Sequence, residues 1–485
     1  MSSGSRLARL DGRRLPAAWT LVAATLTALA LLLVGQQARF DWSLPLIEIP
    51  APELTLGLVA AGIVFLALLP LVHATAAADR DLQRRLLLLV VSVGLLLRLL
   101  MLQTEPALED DQQRYLWEGG LAAHGFSPYA VSPDDAKRAD RSTALGQLAE
   151  AAGPVLERVN HPHLKTIYPP VAIATFALAH GLAPFSLTAW RLVLLAADGA
   201  TLLLILALLR ETGRAPIWSA LYWWNPLAIK EIANSAHMEG VLMPLVLAAV
   251  LLAMRRRPVG AMVALALAVG VKVWPVLLAP LLLRPCWGRW RTLLASAAVL
   301  CGLMALWLLP IWHGGLDSHS GFVAYAGEWQ ANGALLPLLR DSLKPVLASL
   351  SQPPELAGSL ARALLAGVAA VTALACAVRT ITTPYDLVQR TALITLVLVL
   401  VSPAQFPWYM LWTLPFLPLV PRLGVAAMAV MLPLYYLSFY FSAHGAYDVF
   451  RDRVVWLIWI PIWLVLAIES WSRRQHASAS NAQSD

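Results

Sequence analysis

The sequence predicts an all-α polytopic membrane protein, a bundle of roughly 11 to 14 transmembrane helices with a long first outer loop carrying short amphipathic helices. Three observations carry that prediction. The chain is 59% hydrophobic and only 13% charged, with a mean hydropathy of +0.66. Apolar runs long enough to cross a bilayer recur along it. Between the runs lie arginine clusters, the source of the net charge of +7. Basicity in that pattern belongs to cytoplasmic loops, not to a nucleic-acid surface. Cys286, Cys301 and Cys376 are scattered in or beside apolar runs, with neither metal-ligand spacing nor a disulfide framework.

The arginines set the direction of each crossing. Arg6, Arg9, Arg13 and Arg14 precede the first run, residues 17–34. That run is too long for a typical signal-peptide core and lacks a clear cleavage site, so it reads as an uncleaved first helix. Residues 54–72 return to the basic stretch Arg80-Asp81-Leu82-Gln83-Arg84-Arg85, and 86–102 lead out again. Residues 1–103 thus form an N-terminal membrane section. Residues 104–165 form a polar outer loop, with short helices expected over 112–123 and 143–159 and punctuation at Pro133-Asp134-Asp135 and Gly153-Pro154.

The remaining bundle, residues 166–470, opens at Thr166-Ile167-Tyr168-Pro169-Pro170. Prolines suit a first helical turn, and Tyr168 before them should be extended. Two apolar segments, 171–182 and 187–209, precede Arg210 and Arg214. Two full crossings would end on the wrong side, so one is short, and the sequence leaves open which. Residues 217–232 and 241–254 flank a polar link, Asn234-Ser235-Ala236-His237-Met238-Glu239. Segment 259–283 has Lys272-Val273-Trp274-Pro275 at its middle, which predicts a bent pair of short helices. Residues 292–312 lead to a second outer loop, 313–344; 357–378 return; 387–401 lead out to Ser402-Pro403-Ala404-Gln405-Phe406-Pro407-Trp408-Tyr409. Three further runs end inside, and 471–485 read as a disordered cytoplasmic tail. No repeat or inverted duplication stands out, which weighs against a common transporter architecture.

The most unusual stretch is Glu109-Asp110-Asp111-Gln112-Gln113-Arg114-Tyr115-Leu116-Trp117, three acids at the mouth of a membrane helix. A carboxylate near hydrocarbon is costly and is placed there for a task or beside a partner. The plainer reading is a solvated cap, with Asp110 as N-cap and Gln113 at the third helical position. On this stretch alone the two are evenly matched. The other polar clusters fall on the same outer side: His161-Pro162-His163-Leu164-Lys165, Tyr168, the link holding His237, residues 328–333, and Trp408-Tyr409. Acids supply a general base, cations hold a phosphate, and aromatic rings stack on a sugar or sit at the interface. Each has an ordinary alternative. Paired loop histidines are more often solvated than metal-bound, Trp408 and Tyr409 suit an interfacial belt, and His237 suits a loop-backbone role. Lys272, in mid-segment, needs an anionic partner: a phosphate or a protein carboxylate.

Residues 109–119 resemble the signature of bacterial GT-C glycosyltransferases of the mannosyltransferase type, similar to glycosyltransferase family 87. In those proteins an acidic pair after an early membrane helix precedes an arginine-tyrosine-leucine-tryptophan run. The similarity continues through His124-Gly125-Phe126-Ser127-Pro128-Tyr129, Asn160-His161-Pro162, Thr166 to Pro170, Asn225-Pro226-Leu227, Ser235-Ala236-His237, Trp329 to Gly333, and Ser402-Pro403 with Pro407-Trp408-Tyr409. It spans about Glu109 to Pro415, and the order of the motifs is more specific than any one of them. The eukaryotic mannosyltransferase of GPI-anchor synthesis looks similar in its outer loop, its aspartate matching Asp110. Gln112, Gln113 and Glu118 depart from the pattern. Nothing resembles a nucleotide-binding Rossmann fingerprint.

The resemblance implies a polyprenyl-phosphate sugar donor and transfer of a single hexose, such as mannose, with inversion. The acceptor would be a glycan or lipid, and the site would lie on the periplasmic or extracellular side of the bacterial inner membrane. Asp110 would be the base. Asp111 would hold acceptor hydroxyls, or a divalent cation where one is used; no cofactor is required and no closed metal site is evident. Lys165, Lys272 and Arg114 would neutralise the leaving phosphate. Glu109, Tyr115, His161, Tyr168, His237, Trp408 and Tyr409 complete the expected substrate-binding set. Two other classes share the lipid and the long loop: a carrier or flippase for polyprenyl-linked sugars, and an oligosaccharide ligase or polymerase. Acids clustered on one side favour the enzyme.

Overall fold

The structure, a computed structural model, describes residues 14–482. Arg6, Arg9 and Arg13 lie outside the described residues. The protein is 77% helical without β-strands among the described residues, apart from an isolated parallel bridge between Ala331 and Ala404. Among the described residues, eight helices are long and apolar enough to span a membrane, or nine if the segments either side of 235–238 count as one broken span. The all-α polytopic architecture follows.

Arg80–Met101 is as long as a span but opens with charged residues: Asp79 caps it, its side chain accepting from the Leu82 amide. Among the described residues three apolar helices are shorter, Pro170–Leu182, Pro258–Val271 and Trp274–Cys286. The short member of the first pair after re-entry is therefore Pro170–Leu182. The bend predicted at Lys272 is present. Lys272 is extended (φ −153°, ψ 140°) at the end of Pro258–Val271, and Trp274–Leu278 continues as a 3₁₀ turn.

The chain packs as two units that interleave along the sequence. One comprises residues 1–108, 209–230 and 406–485; the other comprises 109–208 and 231–405. In the first, Ala51–Leu66 lies tight against Leu423–Met431: a Cβ on Gly62 would come within 2.5 Å of the Ala429 carbonyl. Small residues of this kind let membrane helices approach closely. Arg98 is buried in this unit, donating to the carbonyls of Gly94 (3.0 Å) and Trp223 (2.8 Å), with its guanidinium 3.5 Å from the Trp223 ring centroid. The last helix, Val455–Ala482, runs into the stretch expected to be disordered. An i,i+4 ion pair, Glu469–Arg473, supports it there.

The second unit carries residues 109–165, most of the loop expected to lie outside, as a small domain with its own core. Trp117, Leu121, Ala136, Leu148, Ala152, Leu156 and Val159 pack together. Asp111–Ala123 matches the first expected helix, while the helix expected over 143–159 is broken at Gly153 (φ 48°) into Ala144–Ala152 and Pro154–Glu157. Pro133-Asp134-Asp135 begins a helix, Pro133–Arg138, instead of marking a loop, because Ser132 and Asp135 close a capping box. Asp111–Ala123 packs on Pro170–Leu182 at Gly119, where a Cβ would meet the Phe176 carbonyl at 2.5 Å. The second outer loop is tied in by Lys165, whose amide donates to His319 O (2.9 Å). Residues 329–333 join the 402–405 stretch through Gln405 N to Ala331 O (2.8 Å) and Asn332 Nδ2 to Gln405 O (3.0 Å).

Candidate active site

The site is built on the second unit, at the start of Asp111–Ala123. Asp110 occupies the N-cap position but makes no side-chain cap bond, so its carboxylate is not used up by the helix end. It meets Asn160. A single amide nitrogen, Asn160 Nδ2, donates to Asp110 Oδ1 (2.9 Å) and to Asp111 Oδ1 (3.0 Å). Asp110 stays exposed at an open rim, yet the protein crowded around it raises its carboxyl above the ordinary range. Asp111 sits deeper. Burial first, and the charge of Asp110 second, raise it to about 6 against the pull of Asn160. A base must be both reachable and basic, and Asp110 meets the first condition better.

Asn160 is held by Arg114. The guanidinium donates to the backbone carbonyls of Asn160, His161 (2.8 Å) and Leu164 (3.2 Å), to Asn160 Oδ1 (3.5 Å) and to Glu118 (3.2 Å). Its five N–H groups are spent inside the protein. Where a phosphate grip was expected of Arg114, the structure shows its donors turned onto residues 160–164 and Glu118. Glu118 accepts from Thr166 Oγ1 at 2.6 Å as well as from Arg114. The departure from the family pattern at Glu118 thus has a structural counterpart, a carboxylate that reaches two donors. Burial raises Glu118 to about 7.

Behind the acids, Tyr115 and Tyr168 pack with Phe176 and Trp190. Tyr115 stacks on Phe176 (4.8 Å), and the Tyr168 and Trp190 rings meet it edge-on. The Tyr115 hydroxyl reaches Asp111 Oδ2 at 3.5 Å. The tyrosines form an aromatic wall and are buried; a sugar would meet little of their faces.

A second strand of the chain closes the deep side. Residues 229–234 form a π-helical turn carrying Glu231, a form common at functional sites. The chain then turns through Ala236, at φ 61°. Trp190 Nε1 donates to Ala236 O (2.8 Å), Arg191 donates to Asn234 O, and His237 N donates to Glu231 O (2.9 Å). His237 is fully buried. Its Nε2 lies 3.4 Å from Glu231 and 3.8 Å from Glu109, and its Nδ1 lies 3.7 Å from Asp111. His237 is thus part of the acidic cluster and does more than satisfy loop backbone.

The other expected residues are distributed. Lys272 forms a 2.6 Å ion pair with Glu239, itself 1% exposed, and the charge of Glu239 reaches Asp111. Lys165 pairs with Asp317 (2.7 Å) and donates to Gly314 O. His161 meets Trp329 edge-on, centroids 4.6 Å apart, and burial lowers its pKa. Trp408 and Tyr409 belong to the first unit. There Trp408 stacks on Phe406 and Tyr409 on Trp412. Asn160, Glu118, Glu231 and Glu239 were missed as site residues. Asn160 was visible as the head of a motif; a buried Glu231 in an apolar run had its charge as the only signal.

Glu109, Glu231 and His237 are the group among the described residues whose ligand atoms all lie within 4.8 Å of one another. The arrangement therefore offers a reachable carboxylate, an amide that holds it, and a buried carboxylate–imidazole set beneath.

Residues 166–403 match the family model of glycosyltransferase family 87, a GT-C-type family. The resemblance drawn from the motifs is borne out over that stretch, just under half of the chain. It contains Glu231, His237, Glu239 and Lys272; the acidic turn and Asn160 precede it. The match indicates a membrane glycosyltransferase, with a sugar donor and an acceptor. Neither curated proteins nor solved structures give a match.

Proposed function

We propose that the chain is a membrane hexosyltransferase that moves one sugar from a polyprenyl-phosphate donor to a hydroxyl on a glycan or lipid, with inversion, at the outer face of the bacterial inner membrane. The observation that carries this reading is Asn160 Nδ2 shared between Asp110 and Asp111, which presents Asp110 at an open rim in one orientation. Asp110 takes the proton from the acceptor hydroxyl as that oxygen bonds to the anomeric carbon. The bond from the anomeric carbon to the phosphate oxygen breaks, and its electron pair leaves with the polyprenyl phosphate. Such a leaving group needs neutralisation more than a strong acid. Lys165 suits that task, because its partner Asp317 is half exposed and can yield to a phosphate.

The test uses purified, lipid-reconstituted protein and a panel of radiolabelled polyprenyl-phosphate hexoses, with extracted membrane glycans and lipids as acceptors. The reading expects label in a hydrophilic or lipid-linked product for one donor. Label that crosses the bilayer still attached to its polyprenyl phosphate would instead establish a carrier.

A further inference from the structure

We propose that Glu109, Glu231 and His237 form a binding site for one divalent first-row transition cation of the Mn²⁺ or Zn²⁺ kind. His237 Nε2 stands 3.4 Å from Glu231 Oε2 and 3.8 Å from Glu109 Oε2, and one ligand atom from each of the three residues lies within 4.8 Å of the others. Around a cation with bonds of about 2.1 Å, adjacent ligands sit about 3.0 Å apart in an octahedron and about 3.4 Å apart in a tetrahedron. Small rotations of the two glutamates close the difference. Separations of 3.4–3.8 Å also exceed the 2.7–2.9 Å of a charge-assisted hydrogen bond, so this is not the spacing of a contracted ion pair.

The remaining surroundings fit the same assignment. A metal-bound histidine usually donates its other ring N–H to a carboxylate, which fixes the tautomer. His237 Nδ1 faces Asp111 Oδ2 at 3.7 Å. Two residues on either side of His237, Ser235 Oγ and Glu239 Oε2 are buried and make no hydrogen bond among the described residues. Buried polar atoms this near His237 in sequence are available to bound water beside a cation. One imidazole with two carboxylates suits Mn²⁺ or Zn²⁺ better than Ca²⁺, which takes oxygen ligands only. The rigid part is the Glu231–His237 pair, joined by the His237 N to Glu231 O hydrogen bond. Glu109 comes from the acidic turn, so a bound cation would draw that turn onto the 231–237 segment.

Binding is measured without donor or acceptor, so its outcome is separate from that of the transfer reading. Untagged protein is stripped with a chelator, dialysed against Mn²⁺, Zn²⁺ or Ca²⁺, and analysed by mass spectrometry for metal per chain and by thermal melting. The expectation is one Mn²⁺ or Zn²⁺ per chain with a raised Tm, and no stoichiometric Ca²⁺. Glu231→Gln and Glu109→Gln should each weaken binding at least tenfold. Because Glu231 is fully buried and its substitution also tests the fold, electron spin-echo spectroscopy of Mn²⁺ in the wild-type protein supplies a second readout. It should show one imidazole nitrogen coupled to the metal. Sub-stoichiometric binding by the wild type, unchanged affinity in folded Glu109→Gln, or Mn²⁺ without nitrogen coupling would each overturn the site.

Discussion

Asn160 Nδ2 stands 2.9 Å from Asp110 Oδ1 while also holding Asp111. Two adjacent carboxylates that would repel are tied to one donor, and the more exposed of them faces solvent. Asn160→Ala should therefore lower kcat by roughly 10²-fold, the scale expected for misplacing a reacting group by about 1 Å. Its Tm should change little, because the side chain is only half buried. An unchanged kcat in the folded variant would make Asn160 a bystander.

Asp110→Asn keeps the shape and removes the proposed base. Transfer should fall by about 10²–10⁴-fold, with the melting profile intact. Near wild-type turnover would hand the role to Asp111, and Asp111→Asn is the next variant to measure.

Lys272 is paired with the buried Glu239. Breaking such a pair typically costs about 3–5 kcal/mol, because the partner's charge stays buried. Lys272→Met should lower the Tm without any donor present, and adding Glu239→Gln should recover most of the loss. If the single variant melts like wild type but binds donor poorly, Lys272 serves the phosphate.

His161 gives a pH dependence with a defined sign. Burial lowers its pKa below the ordinary 6.5, so the unfolded chain takes up the proton first. The stability due to neutral His161 is complete above about 6.5 and is lost as the pH falls below it. The Tm of the wild type should drop more steeply than that of His161→Gln between pH 7 and 5.5. Parallel curves would show that the Trp329 contact is indifferent to charge.

Sidedness can be read at Ser142, which is exposed on the outer-loop domain; the nearby Ala136 is buried in its core and would be silent. Ser142→Cys should react with an impermeant maleimide in intact spheroplasts. Reaction only after lysis would put the acidic turn on the cytoplasmic side.

The sequence by itself determined the all-α membrane class and singled out the acidic turn. Spans, arginine clusters and proline breaks follow from hydropathy and local backbone rules, so the bend at Lys272 and the helix over 111–123 are legible, whereas Pro133–Arg138 reads as a turn until Ser132 and Asp135 close their capping box. The acidic turn was legible because charge beside hydrocarbon is rare. What only the tertiary structure decided is which polar groups meet. Asp110 could cap its helix or not, and the choice went to Asn160, 50 residues away, because Arg114 folds residues 160–164 back over the turn. Glu231 and His237 reach Glu109 through a π-turn and a left-handed residue. Lys272 finds Glu239 across 33 residues of chain. Local rules are blind to such meetings: a carboxylate's sequence neighbours set its helix position, but its protonation and partners are set by whatever the fold packs against it.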